Sequence, residues 1–260
     1  MAQETPQGFI DVHAHIAPVS FLKEVEKSQK AFGVQVEETD AGHALTFPGL
    51  PTLRAAGGSL SETVTRREWM QEQGVGSQYL AAWLDIQGYT MPPGKEADWV
   101  RLLNEHMGQT TKDSGPAFQT IAAVPMQDGE RAARELEYAV KTLGMLGVML
   151  PSDPAEVDVA DSSFEPFWAS AEEMDVPVML HGASHSKWPL IGPGFMAFSM
   201  GRTLDTTILA AKLIHSGLLD RHPKLKLMLC HGGGSLPYLI GRVDVAYRRG
   251  MEKLTDLKKD

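Results

Sequence analysis

The sequence predicts an α/β fold, more specifically a (β/α)8 barrel of the TIM type, on three observations. Short apolar runs alternate with longer segments of helical spacing along most of the chain. Runs such as "LKLMLC" are apolar on both faces, as strands of a parallel sheet covered by helices must be. Histidines stand at the carboxyl ends of several of these runs, and that rim is where barrels assemble their sites. Six strands would also build an open doubly wound sheet; the histidine positions favour the barrel. A chain of 260 residues suits one such domain, so residues 1–260 read as a single barrel domain with an inserted flap over about residues 17–73.

The elements follow in order. "GFIDVHAHI" is the first strand, its alternation placing His13 and His15 on one face and Val12 and Ala14 on the other. An irregular flap follows, with the β-like pieces "GVQVEE" and "HALTFPGL" inside it. From Gly74 a repeating unit gives the strands "SQYLAAWLD", "FQTIAAVPM", "GMLGVMLPS", "VPVMLHGA" and "LKLMLCHGG". Between them lie the helical segments "ADWVRLLNEHMGQTT", "GERAARELEYAVKTL", "SFEPFWASAEEM" and "TTILAAKLIHSGLLD". The helix-like "LPYLIGRVDVAYRRGMEKL" comes last, so the expected barrel lacks its final two strands and two sheet edges are left open. "HGGGS" precedes this helix but has neither the Lys-Ser/Thr of a P-loop nor dinucleotide spacing, which disfavours phosphate binding.

Composition narrows the function. A net charge of −9, from 33 acids against 24 bases, argues against nucleic acid or an anionic membrane surface as partner and leaves a small molecule. Cys230 is the single cysteine, so no intrachain disulfide forms and a reducing, cytoplasmic setting is expected. "MAQETPQ" lacks the marks of a signal peptide, and no apolar run approaches the roughly 18 residues of a membrane span.

Two imidazoles on one strand face converge on a point, as a metal ion requires. His181, ending "VPVMLH", continues a buried strand and supplies a third nitrogen, so His13, His15 and His181 are the expected ligands. Taken alone, His181 would read as a core histidine bonded to backbone. His231, closing the next strand, is a further ligand, a base acting on bound water, or a structural residue of a Gly-rich turn. His185, four residues past His181, is a candidate substrate contact. Asp11, on the strand face of His13, would orient a ligand imidazole or simply start the strand. Two-metal barrel hydrolases commonly bridge their ions with a carboxylated lysine on the fourth strand. "GMLGVMLPS" has none, which leaves one metal.

The stretches "IDVHAHI", "VPMQDGERAARELEYAVKTLGMLGV", "VMLH" and "DTTILAAKLIHSGLLDRHPKLKLMLCHGGGSLPYLIGR" resemble the metal-dependent decarboxylase branch of the amidohydrolase superfamily. The resemblance implies a (β/α)8 barrel with a small β insertion after strand one, a single divalent metal, usually zinc with manganese as an alternative, and a homodimer. It implies His13, His15 and His181 as ligands and His231 as the catalytic histidine. It also implies Arg54 as a flap arginine gripping a substrate carboxylate, and Arg242 as an arginine lent to the neighbouring subunit's site. Phe195 stands where the family places a substrate-facing tryptophan, so the substrate differs. The family's last ligand, an aspartate on the eighth strand, would lie beyond residue 260.

The leading expectation is a non-oxidative decarboxylase of a small unsaturated or aromatic carboxylate. A hydrolase or hydratase on the same site is the alternative, and a non-catalytic binding protein is the third reading.

Overall fold

The computed structural model describes residues 8–152, 157–182 and 194–249. Strand β1 (Phe9–Ile16) leads into helices α1 (Val19–Lys27) and α2 (Gln29–Phe32), and the antiparallel hairpin β2 (Gln35–Thr39) and β3 (Gly42–Thr46) follows. Helix α3 (Thr63–Glu72) then returns the chain to β4 (Val75–Ala82). The two β-like pieces of the flap therefore pair with each other, but the flap is not irregular. It is half helical, and α3 is the crossover between two parallel strands.

The rest repeats strand and helix. It comprises α4 (Pro93–Ser114), β5 (Phe118–Ile121), α5 (Gly129–Lys141), β6 (Val148–Pro151), α6 (Glu165–Glu173), β7 (Pro177–His181), α7 (Arg202–His215), α8 (Leu218–Arg221), β8 (Lys226–Leu229) and α9 (Leu236–Arg248). The six long-range strands are parallel and neighbour one another in chain order, as β1-β4-β5 and β6-β7-β8. A bridge between Ala122 and Val148 joins the two triplets. Across it the amides of Leu146, Ala122 and Met149 donate to the carbonyls of Thr120, Gly147 and Ala122.

Both faces of the sheet are covered. One packs against the helices through Trp99, Leu103, Leu136, Phe167, Trp168 and Leu213. The other collects Ala81, Ile121, Met149, Met179 and Cys230, one residue from each of five successive strands or strand ends, into a second apolar cluster. Helix starts are set locally. Pro93 opens α4 at a position where the missing N–H costs nothing, and Asp128 caps α5 by accepting from the Arg131 amide at 3.0 Å. Asn104, fully buried on α4, accepts from the Ala123 amide and donates to the Ala123 carbonyl and to Glu135, tying the helix to the end of β5. β1 lies at one edge of the described sheet and exposes Phe9 at 77%. Among the described residues no helix is long and apolar enough to cross a membrane.

Candidate metal and substrate site

Strand ends build the site. His13 and His15 leave one face of β1, as alternation requires, and His181 ends β7. His231 follows β8 in a turn where it adopts φ +55°, flanked by Gly232, Gly233 and Gly234, all at positive φ. Left-handed backbone is expensive for a residue with a Cβ. The glycine run confines that cost to the one position whose side chain the site uses.

The four imidazoles form one group. Ring centroids lie 5.1 Å apart for His13 and His15, 5.0 Å for His13 and His181, 5.0 Å for His15 and His181, and 4.5 Å for His181 and His231. Burial holds them neutral. It is the largest cause for each, and His15 drops to about 3 and His231 to about 4, with His13 the next contributor in both. His13 and His181 are lowered for the same first reason. Neutral imidazoles offer lone pairs at pH 7, the form that binds metal.

Hydrogen bonds fix which nitrogens are free. His181 Nδ1 lies 2.6 Å from the Gly182 carbonyl, which can only accept, so Nδ1 carries the proton and Nε2 keeps its lone pair. The buried His15 ring has the backbone of Ala82 as a hydrogen-bonding neighbour, which works against the lowering of its pKa by burial. One nitrogen each of His13 and His181 and the Sγ of Cys230 all lie within 4.8 Å of one another. A divalent ion of the zinc or manganese kind fits this set of neutral nitrogens. Burial pushes the Cys230 thiol up to about 12.

Asp11 works otherwise than as an orienter of the His13 ring. Its Oδ1 accepts from the backbone amide of His13 at 3.1 Å, and its Oδ2 from Gln78 Nε2 at 2.8 Å. Gln78 in turn accepts from Arg66 of α3, whose other nitrogen donates to the His15 carbonyl at 2.6 Å. This network braces the backbone of β1 beneath its two histidines and joins it to the flap helix.

Arg54 stacks its guanidinium 4.6 Å from the centroid of Trp83, just past the end of β4. Arg242 is exposed on α9, and Phe195 is 81% exposed. His185 lies outside the described residues. Sequence reasoning passed over three residues. Arg202 opens α7 with its guanidinium 4.7 Å from the Phe198 ring and its Nε buried without a hydrogen-bond partner among the described residues. Its charge depresses His13, His15 and His231, and it feels Asp85 and Arg54. Thr206, one turn on, donates to the Arg202 carbonyl at 2.9 Å and meets His231 Nδ1 at 3.4 Å. Cys230 was the one legible omission, since it immediately precedes His231 at a strand end. Arg202 follows a π-helical turn, Ala197–Gly201, and Thr206 sits inside a helix, where no pattern marks either.

The chain is similar to several decarboxylases. It is 25% identical over 240 residues to the 2-amino-3-carboxymuconate-6-semialdehyde decarboxylase of Dictyostelium discoideum, covering 90% of this chain and 66% of that protein. It is 34% identical over 164 residues to a γ-resorcylate decarboxylase of Polaromonas, covering 56% of this chain and 48% of the relative. The chain thus spans about half to two thirds of the length of these curated relatives. Among solved structures, a dihydroxybenzoic acid decarboxylase from Polaromonas with bound manganese and 2-nitroresorcinol superposes with a TM-score of 0.68 at 27% identity, over 91% of this chain and 69% of that one. A family model for amidohydrolases matches residues 10–259, and the chain belongs to the amidohydrolase family.

Proposed function

We propose that the chain is a metal-dependent, non-oxidative decarboxylase of a small aromatic or conjugated carboxylate. The observation that carries this reading is the convergence of four neutral strand-end histidines, in a chain whose relatives are named as decarboxylases of such acids. The same reading makes the six ordered parallel strands and their inner apolar cluster part of a (β/α)8 barrel. Residues 1–260 then form one domain, with the flap of about residues 17–73 inserted after the first strand.

His13, His15 and His181 would hold one divalent ion, zinc or manganese, which when bound polarises substrate oxygens as a Lewis acid. His231, with Nδ1 against the Thr206 hydroxyl, presents Nε2 to the site. Neutral at pH 7, it accepts a proton from a substrate hydroxyl or water and delivers it to the carbon that loses CO2. A conjugated substrate accepts the electron pair of the breaking carbon–carbon bond. Arg54 and Arg202 supply positive charge for the departing carboxylate in a protein that is otherwise acidic. Arg242, beside the exposed Tyr238, Leu239 and Ile240 of α9, reaches the site of a second copy in a homodimer.

The test is turnover of γ-resorcylate and related hydroxybenzoates with CO2 measured directly, paired with elemental analysis. About one metal per chain is expected. His13→Ala should bind the ion more weakly than the native chain, and His231→Ala should keep it and lose CO2 release. Product without CO2 would move the assignment to hydrolysis or hydration. Loss of metal from both variants alike would make His231 a ligand.

A further inference from the structure

We propose that Cys230 is a ligand of this metal, so that a thiolate joins the imidazoles and makes the site selective for zinc over manganese. The inference rests on the metal reading above and goes further in naming a sulfur donor and the ion it selects.

The donor atoms stand close together. The Sγ of Cys230 and one nitrogen each of His13 and His181 lie mutually within 4.8 Å. Around a tetrahedral zinc, with bonds of about 2.3 Å to sulfur and about 2.0–2.1 Å to nitrogen, such atoms stand roughly 3.3–3.6 Å apart. Contraction of about 1 Å is within the reach of small side-chain rotations and needs no change of backbone.

That backbone is well placed. The Cys230 amide donates to the Leu180 carbonyl at 3.0 Å, which sets the thiol beside the residue preceding His181. On the other side, the Cys230 carbonyl accepts from Gly233 in the glycine turn. The thiol itself lies in an apolar layer with Ala81, Leu84, Ile121, Met149 and Met179, at 3% exposure. An aliphatic side chain would fill that layer equally well. Sulfur at the edge nearest the histidines adds a donor that packing does not require.

Binding exchanges one bond for another: the S–H bond breaks, a sulfur–metal bond forms, and the proton leaves to solvent. No electron transfer is involved. Thiolate is a soft donor suited to zinc and cobalt, whereas manganese favours oxygen ligands. This chain should therefore prefer zinc, although the similar Polaromonas structure contains manganese.

The decisive experiment loads the metal-free full chain with Co2+ and records its absorption. A sulfur-to-cobalt charge-transfer band in the near ultraviolet is expected, alongside the weaker visible bands of bound cobalt. In Cys230→Ala and Cys230→Ser the charge-transfer band should vanish while visible bands persist, because the imidazoles still hold the ion. Competition should show the zinc-over-manganese preference falling at least roughly tenfold in both variants. If a variant fails to fold by circular dichroism, the wild-type spectrum decides alone. Visible bands without charge transfer in the wild type would overturn the proposal and leave an all-nitrogen site. Absence of any cobalt binding would overturn the metal reading itself.

Discussion

Arg202 acts on both halves of the proposed chemistry, because its charge is set for an anion and is felt by the imidazoles beside it. Removing it should weaken substrate binding and at the same time ease protonation of His231. For Arg202→Met we expect kcat/KM on a carboxylate substrate to fall tenfold to a hundredfold, the loss of one charge-assisted pair worth about 1.5–3 kcal/mol, with metal content unchanged. The sign of the pH effect follows from the causes. Arg202 lowers the His231 pKa, behind burial and His13, so without it that pKa rises. Activity that needs neutral His231 is then lost at higher pH on the acid side. A pH–rate profile whose acid limb stays in place would remove Arg202 from the neighbourhood of the base. At this scale the sequence was readable where geometry repeats: period-two alternation brought out His13 and His15, and strand ends brought out His181 and His231. Arg202 and Thr206 were not readable, because their placement depends on how α7 docks against His181 and His231. Gly182 records that docking, since a Cβ there would sit 2.2 Å from the Arg202 carbonyl oxygen.

Among the elements, α4 is tied to the end of β5 by a polar group, Asn104. Asn104→Ala would leave the amide and carbonyl of Ala123 buried and unpaired and would strip Glu135 of a donor. The expected loss is about 2–4 kcal/mol, read as a lower urea midpoint with an unchanged slope. A change below about 0.5 kcal/mol would mean that water replaces the amide. Elements were legible in the sequence in proportion to their apolar stripe. Helix α5, with Ala132, Leu136 and Ala139 buried on one face, was predicted close to its observed bounds. Helix α3 was hidden because the face it buries consists of Arg66 and Met70. Its burial is compensated by hydrogen bonds of Arg66 to the His15 carbonyl of β1, to Gln78 of β4 and to the Ser59 carbonyl, which no periodicity reports. The short α1, entered directly after Pro18, has Phe21, Leu22 and Val25 buried, too few to separate it from a loop.

For the whole molecule, strand order followed from alternation of element types and the rule that parallel strands need crossovers. The seam between the two strand triplets did not, since it depends on how far β5 and β6 overlap, and sequence does not set that length. The seam divides the site. His13 and His15 stand on β1 of one triplet, whereas His181, Cys230 and His231 belong to the other, and between β5 and β6 the sheet is joined by the short ladder at Ala122 and Val148. An ion taken up by both groups of proposed ligands would therefore be a clasp across the fold as well as a reagent. It would tie β1 to β7 at their carboxyl ends. Opening of the seam would then require release of the ion. Adding zinc should slow hydrogen exchange at the Leu146, Ala122 and Met149 amides, whose bonds cross it, more than at the amides of β4, which lie within one triplet. Equal slowing everywhere would mean that the ion stabilises the molecule only as a unit. The selective pattern would make the chain's cofactor a mechanical part, with the two half-sheets free to breathe apart whenever the metal is withdrawn.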